Sequence, residues 1–420
     1  MQTFAASLGI VVFVGIAWLV SLDRRRFPWR TVVAGLLLQW VFAWVILRTY
    51  IGLVAFELAQ AAVNRLLGFA EDGARMVFGP LADGVLLADK FGPANAYIFA
   101  VGVPATIIVV ASLSSVLYHW GILQWVVAGA GWVMRRVMQT SGSESLATAA
   151  NIFTGQTEAP LVVRPYLERM TRSELLALMT GGMVTIAGGV GAVYVSLGVR
   201  AGEANMAGHL LTASVMSAPA ALLVSKVMLP ETETSETAGG APLKFERTTK
   251  NTIDAICRGA GEGMMLSLNV LAMLIAFVAL VALANFLFGF LQRPLGVTEP
   301  LTFQGLLGWV NAPLAWLMGI PWEYCPAVGR TLGERIVLNE MVGYVSLTGQ
   351  RAALDPRSFV IATYALCGFG NFGSIAIQIG GIGALAPGRR GDLAALGLRA
   401  MAGGLLASYL TASMAGMLIA

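Results

Sequence analysis

Asn151-Ile-Phe-Thr-Gly-Gln-Thr-Glu-Ala-Pro160 decides how the rest of the chain is read. It sets two amides, two hydroxyls and a carboxylate in the middle of a very apolar protein. Gly155 and Pro160 stand where a helix has to break. Irregular backbone survives at membrane depth only where protein buries it or where it lines a wet cavity. A carboxylate there, Glu158, is costly and therefore faces the interior and does something. The stretch reads as the tip of a re-entrant hairpin holding a polar ligand. The alternative is a short polar loop outside the membrane.

The surroundings support membrane depth. The 420 residues are 57% hydrophobic and only 12% charged, too few charges to solvate a globular surface. Mean hydropathy is +0.75. Many apolar runs approach the roughly 20 residues that cross a bilayer as a helix. The 49 glycines suit close packing of membrane helices. The class is an all-α polytopic membrane protein. The net charge of +4 resides mainly in loops, where it reports orientation and not nucleic acid. Cys257, Cys325 and Cys367 form no CxxC pair, and His119 and His209 are the only histidines. A disulfide framework, a zinc site and histidine-based catalysis are therefore not visible.

Before the quoted stretch, residues 3–21 and 31–48 read as spans flanking Arg24, Arg25, Arg26 and Arg30, a cytoplasmic turn. The first span has no basic n-region, which fits a retained helix starting outside and not a cleaved signal. In residues 51–79, Glu57, Gln60, Asn64 and Glu71 recur at helical spacing opposite Leu53, Phe56 and Phe69. That predicts an interfacial amphipathic helix; the alternative is a span with its polar stripe buried in a bundle. A span at 95–118 and a Trp- and Arg-bearing interfacial helix at 121–140 lead into the hairpin, 141–166. After it, 174–198 is a span interrupted at Thr185-Ile-Ala-Gly-Gly-Val190, and 210–228 is a further span. Residues 229–262 include a polar run, Pro230 to Gly240, expected to be a flexible cytoplasmic linker.

Beyond the linker the layout repeats. It runs through a span at 263–290, a short Trp-bearing helix at 303–318 and a hairpin at 321–347 carrying Asn339 and Glu340. A span at 358–386, broken at Gly368-Phe-Gly-Asn-Phe-Gly-Ser374, and a last span at 393–418 complete it. The count is eight transmembrane helices, two re-entrant hairpins and interfacial helices. Residues 95–228 and 263–420 start on opposite sides and form an inverted repeat with two broken helices. Broken helices meeting at the midplane of such a repeat mark secondary transporters.

Each hairpin brings one carboxylate, Glu158 or Glu340, and each break exposes main-chain groups beside Thr185 or beside Asn371 and Ser374. With Phe369, Phe372 and Val190 they suit a small neutral, hydroxyl-rich ligand with a planar edge. No Arg or Lys cluster is present to hold a phosphate. Asn151 and Thr185 offer hard oxygens for Na⁺, or alternatively cap exposed helix ends. Gly188-Gly-Val-Gly191 and Gly380-Gly-Ile-Gly383 follow no strand, so they read as helix breaks and not as nucleotide loops. An ion channel and an intramembrane hydrolase are the other classes weighed; no nucleophile–base or paired-aspartate constellation favours the hydrolase.

These motifs resemble the concentrative nucleoside transporters. The resemblance rests on Asn151 to Pro160; on Pro321-Trp-Glu-Tyr-Cys-Pro326 with Leu338-Asn-Glu-Met-Val-Gly-Tyr344; on Gly368 to Pro387; and on Leu67 to Arg75 with Phe78-Gly79. It covers nearly the whole chain. The basic turns and the count of spans put both termini outside, and the resemblance implies a bacterial inner-membrane homotrimer in which a transport domain moves like an elevator against a scaffold. The implied activity is nucleoside import by sodium symport, with proton coupling or another neutral polar solute as alternatives. The implied nucleobase contacts are Gly155, Gln156, Thr157, Glu158 and Val190. The implied ribose contacts are Glu340, Asn371 and Ser374, with Phe369 against the ligand. The implied sodium site is Asn151, Thr154, Thr185 and Ile186. Met341, Gly343, Gly370 and Gly373 depart from the usual Phe, Ala, Ala and Ser, without removing a proposed ligand.

Overall fold

A computed structural model describes residues 2–92, 96–239, 249–292 and 301–419, and among these every regular element is helical. α1 (Gln2–Leu19) packs on the C-terminal helix and α2 (Trp29–Arg48) on a central one, followed by α3 (Tyr50–Phe78), α4 (Gly84–Phe91), α5 (Phe99–His119) and α6 (Ile122–Met138). α7 (Gly142–Asn151) and the single turn α8 (Ala159–Val162) flank the irregular residues of the opening stretch. α9 (Arg172–Val184) and α10 (Gly188–Arg200) are the halves of the first broken helix, and α11 (Met206–Met228) follows. The second half repeats the order: a long α12 (Thr252–Gln292), a short α13 (Phe303–Leu317), and α14 (Cys325–Val337) with α15 (Glu340–Gly349). Broken α16 (Pro356–Leu366) and α17 (Phe372–Leu385) and a final α18 (Arg390–Leu418) complete it.

Seven helices among the described residues are long and apolar enough to cross a membrane, against the eight crossings expected. The difference has a physical cause. The two spans expected at 174–198 and 358–386 are divided into pieces too short to qualify singly, while the run from Gly52 through α3 and α4 qualifies by length. α3 is amphipathic, as its spacing predicts, but its polar stripe turns partly into the protein. Gln60 is buried, accepts from the Ala207 amide at the start of α11 at 2.8 Å, and donates to Asn64 at 2.9 Å.

The core is α11, buried on nearly every side, as expected of a helix apolar all round. Buried Gln39 of α2 ties it to its neighbours, donating to the Met216 carbonyl and the Thr411 hydroxyl, both at 3.2 Å. The outer faces of α1, α2 and α12 expose Phe4, Trp29, Ile275 and Phe286, an exterior suited to lipid. α5 and α12 approach closely because glycine lines the crossing. A Cβ on Gly259 would lie 2.6 Å from the Ala111 carbonyl oxygen, and one on Gly263 2.8 Å from Ile108 Cα.

Local signals start the helices at the right places. Ser141 and Glu144 form a capping box at α7, and Thr171 and Glu174 form another at α9. Asn339 caps α15 and Asn371 caps α17. The two broken helices begin at opposite ends of α18. Arg172, opening α9, pairs with Asp392 near the start of α18 at 3.3 Å, while Arg357, near the start of α16, donates to the Ile419 carbonyl at 3.2 Å. They run toward each other and touch at their breaks. Gly368 adopts φ +123°, and a Cβ on it would sit 2.6 Å from the Val184 carbonyl. Only glycine serves there readily.

The linker departs from expectation over its first residues. Glu231 accepts from Lys226 at 3.2 Å and from Thr171 at 2.8 Å. Ser235 donates to Glu174 at 2.6 Å, and the Thr237 carbonyl accepts the Gly142 amide at 2.9 Å. Lys226 also pairs with Glu144 at 2.7 Å, both side chains buried. Burying that charge demands partners, and the linker supplies one of them. Residues 240–248 of the linker lie outside the described residues.

Candidate functional site

The tips of α7 and α14 meet the second break in one polar cluster. Gln156 lies in the bend after α7, with its side chain buried. It donates to Ser374 Oγ at 3.1 Å and accepts from Gln378 Nε2 at 3.2 Å. Gln378 Nε2 also reaches the Met179 carbonyl at 3.0 Å, tying the amide pair to α9. Gly182 makes room for this: a Cβ there would stand 2.7 Å from Gln378 Nε2 and 2.9 Å from Gln156 Cβ. Asn371 caps α17 through Oδ1, which accepts the Ser374 amide at 2.9 Å. Its Nδ2 donates to Glu340 Oε2 at 2.9 Å. The other Glu340 oxygen accepts from the Tyr194 hydroxyl at 3.1 Å. Glu340, at 7% exposure, is thus held from two sides by donors, the arrangement an acceptor-only carboxylate needs. Tyr194 stacks on Tyr344, ring centroids 4.2 Å apart, which fixes its hydroxyl.

Most of the residues singled out from sequence therefore converge. Gln156, Ser374, Asn371 and Glu340 form the cluster itself. Gly155 lies against the first break, where an added Cβ would be 3.2 Å from Ala187. Val190 is buried in the first turn of α10, and Phe369 is half-buried within the second break. Thr157 and Glu158 are accessible at the tip and have no hydrogen bond to the Glu340 group among the described residues. Thr157 faces α17 near Gly381, where a Cβ would be 3.6 Å from its methyl.

A second polar group sits behind the tip. Asn151 ends α7 and donates to the Ala147 carbonyl at 3.2 Å; Thr154 donates to Ala150 at 2.9 Å, and Thr185 to Gly181 at 3.0 Å. A Cβ on Gly181 would lie 3.2 Å from Asn151 Nδ2 and 3.4 Å from Thr148 Oγ1, so these residues crowd one point. Asn151 Oδ1 and Thr148 Oγ1 are buried without a hydrogen-bond partner. Buried polar oxygens are otherwise almost always satisfied. Thr185 and Ile186 fall in the extended residues between α9 and α10. Unpartnered side-chain oxygens beside unwound backbone fit the hard-oxygen set that Na⁺ takes in broken helices. Asn151 bonds the preceding turn through Nδ2 and keeps Oδ1 for a ligand, whereas Thr185 donates to that turn through its only side-chain oxygen and has just the lone pairs of Oγ1 to offer.

Sequence reading missed three members: Gln378, Tyr194 and Thr148. Each is a polar side chain inside an apolar helical run, which is the available signal. Which neighbour each meets depends on pairing between distant segments.

The fold and this site define a multi-pass helical transporter with its polar centre at two helix breaks. The comparisons name the family. Residues 209–416 match the profile described as "Na+ dependent nucleoside transporter C-terminus", residues 8–81 its N-terminus counterpart, and residues 100–200 "Nucleoside recognition". An uncharacterized transporter of Haemophilus influenzae is 41% identical over 100% of this chain and 98% of its own length. The rat sodium/nucleoside cotransporter 1 is 38% identical over 98% of this chain, which spans 63% of that protein. The solved structure of CNTnw in an inward-facing substrate-bound state superposes with a TM-score of 0.91 at 37% identity, covering 100% of this chain and 98% of the other. A doubly substituted CNTnw in an outward-facing state gives the same TM-score at 36% identity over the same shares. The chain belongs to the concentrative nucleoside transporter family, and it is a transporter, not an enzyme.

Proposed function

We propose that this protein imports nucleosides by sodium symport. The observation that carries the reading is the joined cluster Gln156–Ser374 and Asn371–Glu340. It presents an amide edge beside a carboxylate–amide pair, the complement of a planar base joined to a vicinal diol. In this reading Gly155, Gln156, Thr157, Glu158 and Val190 face the base. Glu340, Asn371 and Ser374 take the ribose hydroxyls, and Phe369 packs on the ligand. Asn151, Thr154, Thr185 and Ile186 hold the sodium ion. The names of the rat cotransporter and of the matched profiles support both substrate and ion.

The proposed movement is an elevator. α7–α11 and α14–α18 travel together against a scaffold containing α5 and α12, within a homotrimer. The inward- and outward-facing states of CNTnw support alternating access, and the glycine-lined α5–α12 crossing supports a rigid scaffold. The antiparallel course of α9–α10 and α16–α17 about α18 supports an inverted repeat of residues 95–228 and 263–420, with two re-entrant hairpins and eight crossings. In that topology both termini lie outside a bacterial plasma membrane. Gln2, Gly319 and the end of α18 all bond Arg357, which supports a shared side. Uptake into proteoliposomes under sodium, proton or no gradient tests the proposal. Proton-driven uptake alone keeps the substrate and discards the sodium site; inhibition by free ribose or uracil as strong as by uridine points to another solute.

A further inference from the structure

Arg335 is the largest fully buried side chain among the described residues, and the substrate reading leaves it unused. It sits in the last turn of α14, five residues before Glu340 and across the bend from it. None of the ion pairs found among the described residues includes it. A guanidinium buried this way is costly unless its fork is used.

Its two terminal nitrogens are used on the second break, while Nε is buried without a partner. One terminal nitrogen donates to the Ala365 carbonyl, in the last turn of α16. Carbonyls at a helix C-terminus lack intrahelical donors and carry partial negative charge, so a cation belongs there. The other terminal nitrogen donates to Ser408 Oγ of α18 at 3.0 Å, and that hydroxyl lies 2.9 Å from the Cys367 carbonyl. Gly370 faces the same nitrogen, where a Cβ would be 3.1 Å away. The guanidinium therefore grips the backbone at 365, reaches 367 through Ser408, and lies against 370. These are the residues that lead into Asn371. From the other side Asn371 bonds Glu340 at 2.9 Å. The ring closes through α14, the bend and the break.

We propose that Arg335 is the positioning residue of the ribose-binding pair. It clamps the second break to the second hairpin from behind, so that Asn371 and Glu340 meet a diol at fixed separation. The inference rests on the nucleoside reading above. It predicts that Arg335 acts on ribose discrimination without touching the ligand. Lysine keeps the charge but not the planar fork, so it restores only part of the effect.

The test is competition against labelled uridine uptake in proteoliposomes, with unlabelled uridine and 3′-deoxyuridine, for the wild type, Arg335→Met, Arg335→Lys and Ser408→Ala. Arg335→Met is expected to raise the uridine KM by about tenfold or more while the maximal rate changes much less. Its preference for uridine over 3′-deoxyuridine shrinks toward one. Arg335→Lys falls between, and Ser408→Ala moves the same way by less. Wild-type preference in Arg335→Met, or an equal loss for both ligands, overturns the inference. Should Arg335→Met not purify as a monodisperse protein, wild-type preference in both Arg335→Lys and Ser408→Ala overturns it. A wild type unable to tell the two nucleosides apart sinks the ribose reading itself, and the inference with it.

Discussion

Glu340→Gln separates binding from folding because the two respond to different parts of the same contact. In the structure Glu340 accepts from Tyr194 at 3.1 Å and from Asn371 at 2.9 Å. Glutamine has nearly the same shape. Its carbonyl can take the Asn371 N–H and its amide can donate to the Tyr194 hydroxyl, so both contacts are rebuilt. The fold is therefore expected to lose less than about 1 kcal/mol. The ligand fares worse. A hydroxyl bonded to a charged acceptor is worth roughly 1.5–3 kcal/mol, against roughly 0.5–1.5 for a neutral one. With two adjacent hydroxyls the loss is about 2–3 kcal/mol, or roughly 30- to 150-fold in affinity. The assay is concentration-dependent uridine uptake in proteoliposomes, with thermal unfolding of the same preparation. A 3′-deoxy nucleoside, already short of one hydroxyl, should lose less than uridine on the substitution. Wild-type uridine affinity in Glu340→Gln refutes the ribose assignment; so does a variant whose entire loss follows from unfolding.

Four further substitutions probe the frame and the ion. Gly368→Ala meets both a φ of +123° and the Val184 carbonyl at 2.6 Å, so thermal unfolding should register a loss of about 2–6 kcal/mol. Gly380→Ala, with nothing within 4 Å, should be neutral or stabilising; matching behaviour would deny that the breaks touch. Gly263→Val puts a branched side chain 2.8 Å from Ile108 Cα and should cost about 1–3 kcal/mol by the same measurement, unless α5 and α12 pack otherwise. Asn151→Ala removes a buried, unpartnered oxygen, so the sodium concentration for half-maximal uptake should rise by roughly tenfold or more. An unchanged sodium dependence moves the ion elsewhere.

Much of this architecture was legible because membrane helices announce themselves and so do their interruptions. Gly155 and Pro160 mark the first bend, and Gly368 marks the second break at the residue whose backbone requires glycine. The first break falls within the stretch Thr185 to Val190 that the sequence marks, over Thr185 to Ala187; Gly188 and Gly189, which draw the eye to it, start α10, and the unwound residues themselves need no special residue type. The ligating candidates near the bends were visible as polar groups in apolar runs. Arg335, Tyr194 and Gln378 were not assigned, because their roles come from pairing between segments dozens of residues apart. The linker misled for a related reason: Glu231, Ser235 and Thr237 are ordinary polar residues in sequence, and only the buried Lys226 and Glu174 make them anchors.

The central claim is that this chain couples nucleoside entry to sodium, and labelled uridine in proteoliposomes tests it most directly. With an inward sodium gradient the account predicts saturable accumulation above the external concentration, lost when sodium is replaced by choline and not restored by an inward proton gradient. No concentrative uptake of uridine or adenosine under any gradient would contradict it.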